Sequence, residues 1–317
     1  MLDKIKNQAE VVGRVYDLGE GFRALQVKTV KNEQSENYGK EFIQGTIHVA
    51  VDDEGLSIVP VEYTYVTPTF KSGKVNSTFT VLKSIIENDS TWMSKGKDGA
   101  AIVRLTPSIE TNDFINREGQ LVEAKQLQGG FAELCSLDTY NLKKGATFQA
   151  QMVITGAVRH IPEEDNEKEY MTIKACAFNF RKEIQPVELK VYDQRGFAML
   201  EEITPNSPIF STVTGMVDNR TIKTTQEEPS DWGVPVVKEV TRRIREWVVT
   251  NIQFSEDITE DSAVTVADLT TAIQNREIHK ADVKRQNEEN KARRAAINAT
   301  PTSAASAAAI PVGGFNF

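Results

Sequence analysis

Apolar and polar residues alternate along much of this chain with the period of two that sends successive strand side chains to opposite faces. Glu41–Val51 reads Glu-Phe-Ile-Gln-Gly-Thr-Ile-His-Val-Ala-Val and stops at Asp52-Asp53-Glu54-Gly55, a turn signal, so a hairpin is predicted there. Ala100–Leu105, Tyr170–Phe180 and Val187–Tyr192 read as further strands. Two stretches depart from this period. Between Thr80 and Asn88 the apolar positions are Val81, Leu82, Ile85 and Ile86, a helical spacing that fits one short helix closing a barrel. From Thr265 to Ile297, Val266, Leu269 and Ile273 predict an amphipathic helix, with Thr265 as N-cap and Asp268 at the capping-box position. Beyond Val283 the apolar stripe ends, which predicts an exposed and frayed C-terminal half.

One short phrase recurs: Val11-Val12-Gly13-Arg14-Val15, Ile154-Thr155-Gly156-Ala157-Val158 and Val213-Thr214-Gly215-Met216-Val217. A glycine inside a β-branched strand marks a sharp bend or the close approach of another backbone, as at a barrel corner. The recurrence therefore predicts a mainly β chain of tandem OB-like small barrels, followed by a C-terminal helix and a disordered tail. The expected divisions are a first barrel over 1–110, a connecting region over 111–145 and a second barrel over 146–260, then a helix over 261–298 and a tail over 299–317. The third copy is short, and either begins a further repeat or completes the second barrel. Thr111–Gly130, with its Asn-Arg-Glu-Gly and Gln-Gly-Gly runs, reads as loop.

A chain of 317 residues with 39% hydrophobic and 26% charged residues is an ordinary globular polypeptide, long enough for two or three cores. Its net charge of -8 means that a polyanion would have to bind a local basic surface on an acidic body. Cys135 and Cys176, with His48, His160 and His279, make no metal-ligand spacing. The charged opening Met1–Lys6 and the sparse cysteines lead us to expect a cytoplasmic protein, and no apolar run is long enough to span a bilayer. No P-loop, dinucleotide turn or nucleophile elbow occurs, so neither catalysis nor a cofactor is expected.

Chemistry is concentrated in mixtures of aromatic and basic residues. Tyr63, Tyr65 and Phe70 surround a Lys71-Ser72-Gly73-Lys74 turn in an acid-free stretch, and Trp92, Lys95 and Lys97 follow. Single-stranded nucleic acid calls for this mixture, because bases stack on aromatic faces while Lys and Arg neutralise phosphates. Arg242, Arg243 and Arg245, close to Trp247, form the densest cationic cluster. The competing reading puts the aromatics in the core and the cations on solvated faces. On the strand through Lys174, Cys176, Phe178 and Phe180, core burial of the two phenylalanines is expected, with Ala175, Ala177 and Asn179 outward.

The Ala/Ser/Pro/Gly-rich segment Thr300–Gly314 leads to Phe315-Asn316-Phe317, an apolar anchor beside a carboxylate that suits capture by a protein partner. Together with the glycine-bearing first strands, this layout resembles OB-fold single-stranded DNA-binding proteins, in particular the divergent ones of bacteriophages. In those proteins a disordered linker carries a C-terminal peptide ending in Phe that recruits replication partners. The resemblance implies non-enzymatic binding of single-stranded DNA in replication or recombination, with Phe315 and Phe317 as the docking residues. This tail lacks the family's run of aspartates and its Pro-Phe ending, the nearest equivalents being Pro311 and Phe317. The alternative is a viral structural or assembly protein that self-associates without nucleic acid.

Overall fold

A computed structural model describes residues 5–162, 168–179, 181, 183–228, 236–255 and 264–299. Its strands close two circuits of the same connectivity. In the first, β1 (Asn7–Asp17) runs antiparallel to β3 (Glu41–Ala50), which runs antiparallel to β4 (Ile58–Val66). β4 lies parallel to β7 (Leu121–Gln128), and β7 pairs with β6 (Ser108–Ile115). β6 continues from β5 (Ile102–Leu105), which returns to β1. The second circuit repeats this with β9 (Gly145–His160), β10 (Tyr170–Phe178) and β11 (Ile184–Val191). There β11 lies parallel to β13 (Val236–Phe254), β13 pairs with β12 (Ile209–Glu228), and β12 returns to β9.

Each circuit has the strand order 1-2-3-5-4-1 with one parallel pair, the OB arrangement of a small Greek-key barrel. Helices sit between the third and fourth strands of both: α1 (Ser77–Asn88) and α2 (Trp92–Gly99) in the first, α4 (Phe197–Glu201) in the second. Helix α1 starts where the Asn76 side chain accepts a hydrogen bond from the Thr78 amide, and it buries Phe79, Leu82 and Ile85 against the first barrel. The short β2 (Gln26–Thr29) lines the edge of β3, and β8 (Ala132–Leu134) with α3 (Leu137–Lys143) leads into the second barrel.

The barrels share backbone. Asn7–Val12 of β1 pair with Gly145–Ala150 of β9, so all strands belong to one sheet and both interiors join in one apolar cluster. The glycine phrases explain this geometry. A Cβ on Gly13 would lie 2.3 Å from the Ala50 carbonyl oxygen, and one on Gly215 would lie 2.4 Å from that of Val248. At Gly156 nothing lies within 4 Å, but β9 bulges against β10 there, where Lys174 faces Gly156 and Ala175 faces Ile154. The third copy is the fourth strand of the second circuit and begins no further repeat.

Three expectations need correction. Thr111–Gly130 is for the most part the β6–β7 hairpin. Its loop signals include the turn at Asn116, whose side chain accepts from the Glu118 and Gln120 amides, and its strands lack a clear apolar phase because Ile109 and Leu127 are their only buried apolar residues, while Glu110 and the Asp113 side chain are buried polar ones. On β10 Phe178 is buried as expected, but in a second cluster outside the barrel, whereas Ala175 and Ala177, expected outward, face the barrel interior, which is filled by bulkier Met152, Ile154 and Leu189. Phe180 lies outside the described residues. The helix α5 (Val266–Ala299) is capped as expected, with reciprocal Thr265–Asp268 hydrogen bonds. It docks through Leu269, Ala272 and Arg276, while Val266 and Ile273 are exposed. Among the described residues, no helix is long and apolar enough to cross a membrane.

Candidate nucleic-acid interface

Alternation on β3 buries Ile43, Ile47 and Val49 and turns Phe42, Gln44, Thr46 and His48 outward, a row roughly 20 Å long at about 3.3 Å per residue. Pro60 and Glu62 of β4 lie beside His48 and Thr46, and β7 extends the face with Gln126 and Gln128. This outer surface of the second and third barrel strands is where OB-folds hold oligonucleotides. Three depressions follow it. One of about 460 Å³, beside the Phe42 and Tyr65 rings, is walled by Val30 and Lys31. The middle one, of about 340 Å³, lies among Arg23, Thr46, His48, Pro60 and Glu62. The third, of about 750 Å³, shares His48, Pro60 and Leu127 with the middle one and reaches Arg243 and Arg245 on β13.

Aromatic surface is available at one end of this groove. The rings of Phe42 and Tyr65 lie 4.8 Å apart, and Tyr65 is 47% exposed. Phe70, 43% exposed, stands on the turn that leaves β4, where the Phe70 amide donates to the Lys74 carbonyl and both Lys71 and Lys74 face solvent. At the other end, the acids of the large cleft are mostly neutralised. Asp218 pairs with Arg220 at 3.0 Å, Glu246 with Lys190 at 2.8 Å and Glu123 with Lys280 at 2.6 Å, while Asp17 lies 2.5 Å from the His48 ring nitrogen. Arg243 and Arg245 are exposed and make no ion pair among the described residues, so their charge is free for a phosphate.

The far wall of the cleft comes from the other barrel. The long β12–β13 ribbon folds back onto the loop between β3 and β4: the Thr221 amide donates to the Leu56 carbonyl at 2.8 Å and the Asn219 side chain to that of Ile58 at 2.5 Å.

The expected residues separate accordingly. Tyr65, Arg243 and Arg245 line the groove, and Phe70, Lys71 and Lys74 are exposed on the turn that leaves β4. Tyr63 does not line the groove, because it points into the barrel at 1% exposure. Trp247 is core as well, at 7% exposure and packed at 5.6 Å against Phe148, so it offers no open ring to a base. Arg242 falls on the opposite face of β13 from Arg243 and Arg245, by strand alternation. Trp92 is half-buried against Tyr16, a residue of the cleft wall. Lys95 is exposed on α2, away from the groove residues. Phe315 and Phe317 lie outside the described residues.

Lys97 has a different occupation. Together with Lys144 and the Tyr140 hydroxyl it holds the Asp53 carboxylate, tying α2 and α3 to the β3–β4 turn. Lys144 and Lys97 bring the Asp53 pKa down from 3.8 to about 2. A depressed carboxylate stabilises the fold above its unfolded pKa, and the contribution fades as pH falls from about 3.8 towards 2. Asp53→Asn is therefore expected to flatten the fall of melting temperature over that acid window; an unchanged slope would show that the cluster is not coupled to folding.

Phe42, His48 and Arg23 were not singled out from the sequence. The available signal was Phe42 itself, an aromatic on the polar phase of an alternating strand. His48 and Arg23 carried none, because only the fold brings the β1–β3 connection over β3.

Comparison with known proteins adds three findings. No curated protein matches the sequence. Among solved structures, the crystal structure of a deletion mutant of the single-stranded DNA binding protein from Thermus aquaticus is similar at 8% identity and a TM-score of 0.45. That likeness covers 81% of this chain and 98% of the other. The family model YorF matches residues 20–290, a span holding most of both barrels and the groove between them, and the chain belongs to the YorF family.

Proposed function

We propose that this protein binds single-stranded DNA without catalysis, in replication or recombination, along the outer face of β3 and β4. The observation that carries the reading is the pairing of outward rings, Phe42 and Tyr65, at one end of a groove with the exposed Arg243 and Arg245 at the other. Rings take bases of any identity and arginines take phosphates, so binding should show little sequence preference and fall steeply with salt. A duplex presents no unstacked bases to such rings. The cytoplasm is the proposed compartment, and the C-terminal residues Phe315 and Phe317 are the proposed contact for replication or recombination proteins.

Fluorescence anisotropy of a labelled oligothymidine, titrated at low and moderate salt beside its duplex form, tests the reading. Tight, salt-sensitive binding of the single strand and weak binding of the duplex are expected. Phe42→Ala with Tyr65→Ala should weaken single-strand binding about 30-fold or more, at roughly 1–3 kcal/mol for each lost stack. Arg243→Gln with Arg245→Gln should make the salt slope shallower by roughly 0.7 per arginine. No binding of the single strand at low salt would overturn the proposal.

A further inference from the structure

We infer that the second barrel carries another base-stacking platform, built on β10 and β11, and that one DNA strand crosses both barrels. The inference rests on the single-stranded DNA reading of the first groove. Tyr170 stands on the outer face of β10, with its ring 4.6 Å from that of His160 at an interplanar angle of 17°. Tyr192, just past the end of β11, has its ring 5.7 Å from that of Tyr170 at an interplanar angle of 48°. The Lys190 ammonium sits 4.3 Å over the Tyr170 ring, and Lys174 is exposed two positions beyond Thr172 on the same face of β10. Lys190 is itself held by Glu246, so the phosphate-neutralising charge of this surface comes from Lys174, beside rings that lie on a sheet face instead of in a core and end in the exposed His160.

Position in the fold supports this. β10 and β11 are the second and third strands of their circuit, as β3 and β4 are of theirs, so the ladder occupies the face equivalent to the Phe42–Tyr65 groove. The two surfaces also meet. Glu246 lines the large cleft beside Arg245, and it accepts hydrogen bonds at 2.8 Å from both Lys190 and the Tyr192 hydroxyl. A strand leaving the arginine end of the groove therefore meets the ladder at Tyr192. Two linked contacts on one strand bind with far greater avidity than either alone.

The test uses the full chain and a labelled 30-nucleotide oligothymidine. Tyr170→Ala with Tyr192→Ala, checked for unchanged melting temperature, is expected to weaken binding about 10- to 100-fold. Lys174→Glu, an exposed change that leaves the rings in place, should weaken it as well and make the salt slope shallower. Combining the tyrosine pair with Phe42→Ala and Tyr65→Ala should lose more than either pair alone. Wild-type affinity in both the tyrosine and the Lys174 variants would overturn the inference. If the Phe42 and Tyr65 variant were still weakened in that case, the first groove would stand. Failure of the wild type to bind the oligonucleotide would remove both.

Discussion

Gly13→Ala is expected to cost more than about 4 kcal/mol and to leave little folded protein, although it adds one methyl group to a strand. The new Cβ would lie 2.3 Å from the Ala50 carbonyl oxygen and 2.6 Å from Val49 Cγ1. A carbonyl oxygen held in a sheet cannot rotate away, so relief requires moving β3, which pairs with β1 through Arg14 and Ala50. The same phrase supplies the control. At Gly156 a Cβ would meet nothing within 4 Å, and Gly156→Ala should be neutral or stabilising by about 0.4–1 kcal/mol, through lower entropy of the unfolded chain. Urea midpoints of the two variants decide the matter; equal midpoints would refute the close-approach explanation of the first copy.

The second large effect concerns α5. The Arg276 side chain is 7% exposed and meets an Asp113 side chain of 0% exposure on β6, with guanidinium nitrogens 2.6 Å from each carboxylate oxygen. Arg276→Met strands that carboxylate in the interior, a change that typically costs about 3–5 kcal/mol when a buried pair loses one member. His279, 3.2 Å from Asp113, compensates only while it is protonated. The remaining anchors of the helix are few, chiefly Leu269 and Ala272 against Phe178 and Phe210. The expected result is undocking of α5, read as lost amide protection through the helix and a lower melting temperature. Asp113→Leu together with Arg276→Met should recover most of the loss, since an apolar pair of similar volume tolerates burial. If the single substitution left both readouts unchanged, the pair would have no part in holding the helix.

The legible parts of this fold were those with local causes. Alternation located β3, β10 and β11, the helical spacing of Leu82 and Ile85 located α1, and Thr265 with Asp268 located the start of α5. The glycine phrase indicated small barrels because close approach leaves a mark on the sequence at the strand that suffers it. Pairing partners left no such mark. Nothing local says that Gly215 sits on a fourth strand while Gly13 sits on a first, or that β6 and β7 close a barrel with so few buried residues. The site divided along the same line. Tyr63 and Tyr65 have the same parity in sequence and would share a face of a regular strand, yet one ring is core and the other is open. β4 carries an extra residue between Tyr63 and Val66, opposite Ile43 and Gly45 of β3, and such a bulge re-aims side chains. Arg243 and Arg245 gained meaning only when the ribbon brought them to a groove formed by residues of the distant first barrel.

The pairing of β1 with β9 has a consequence for any ligand that touches both barrels. Two domains on a tether sample many separations, and a polymer binding both must first hold them at one distance. Here six backbone pairs fix that distance during folding. The molecule then acts as a ruler, since the contour length between the Phe42 ring and the Tyr170 ring is set by strand register and not by solution conditions. A strand too short to span that gauge meets one footing, and a strand long enough meets the second with no further loss of domain freedom.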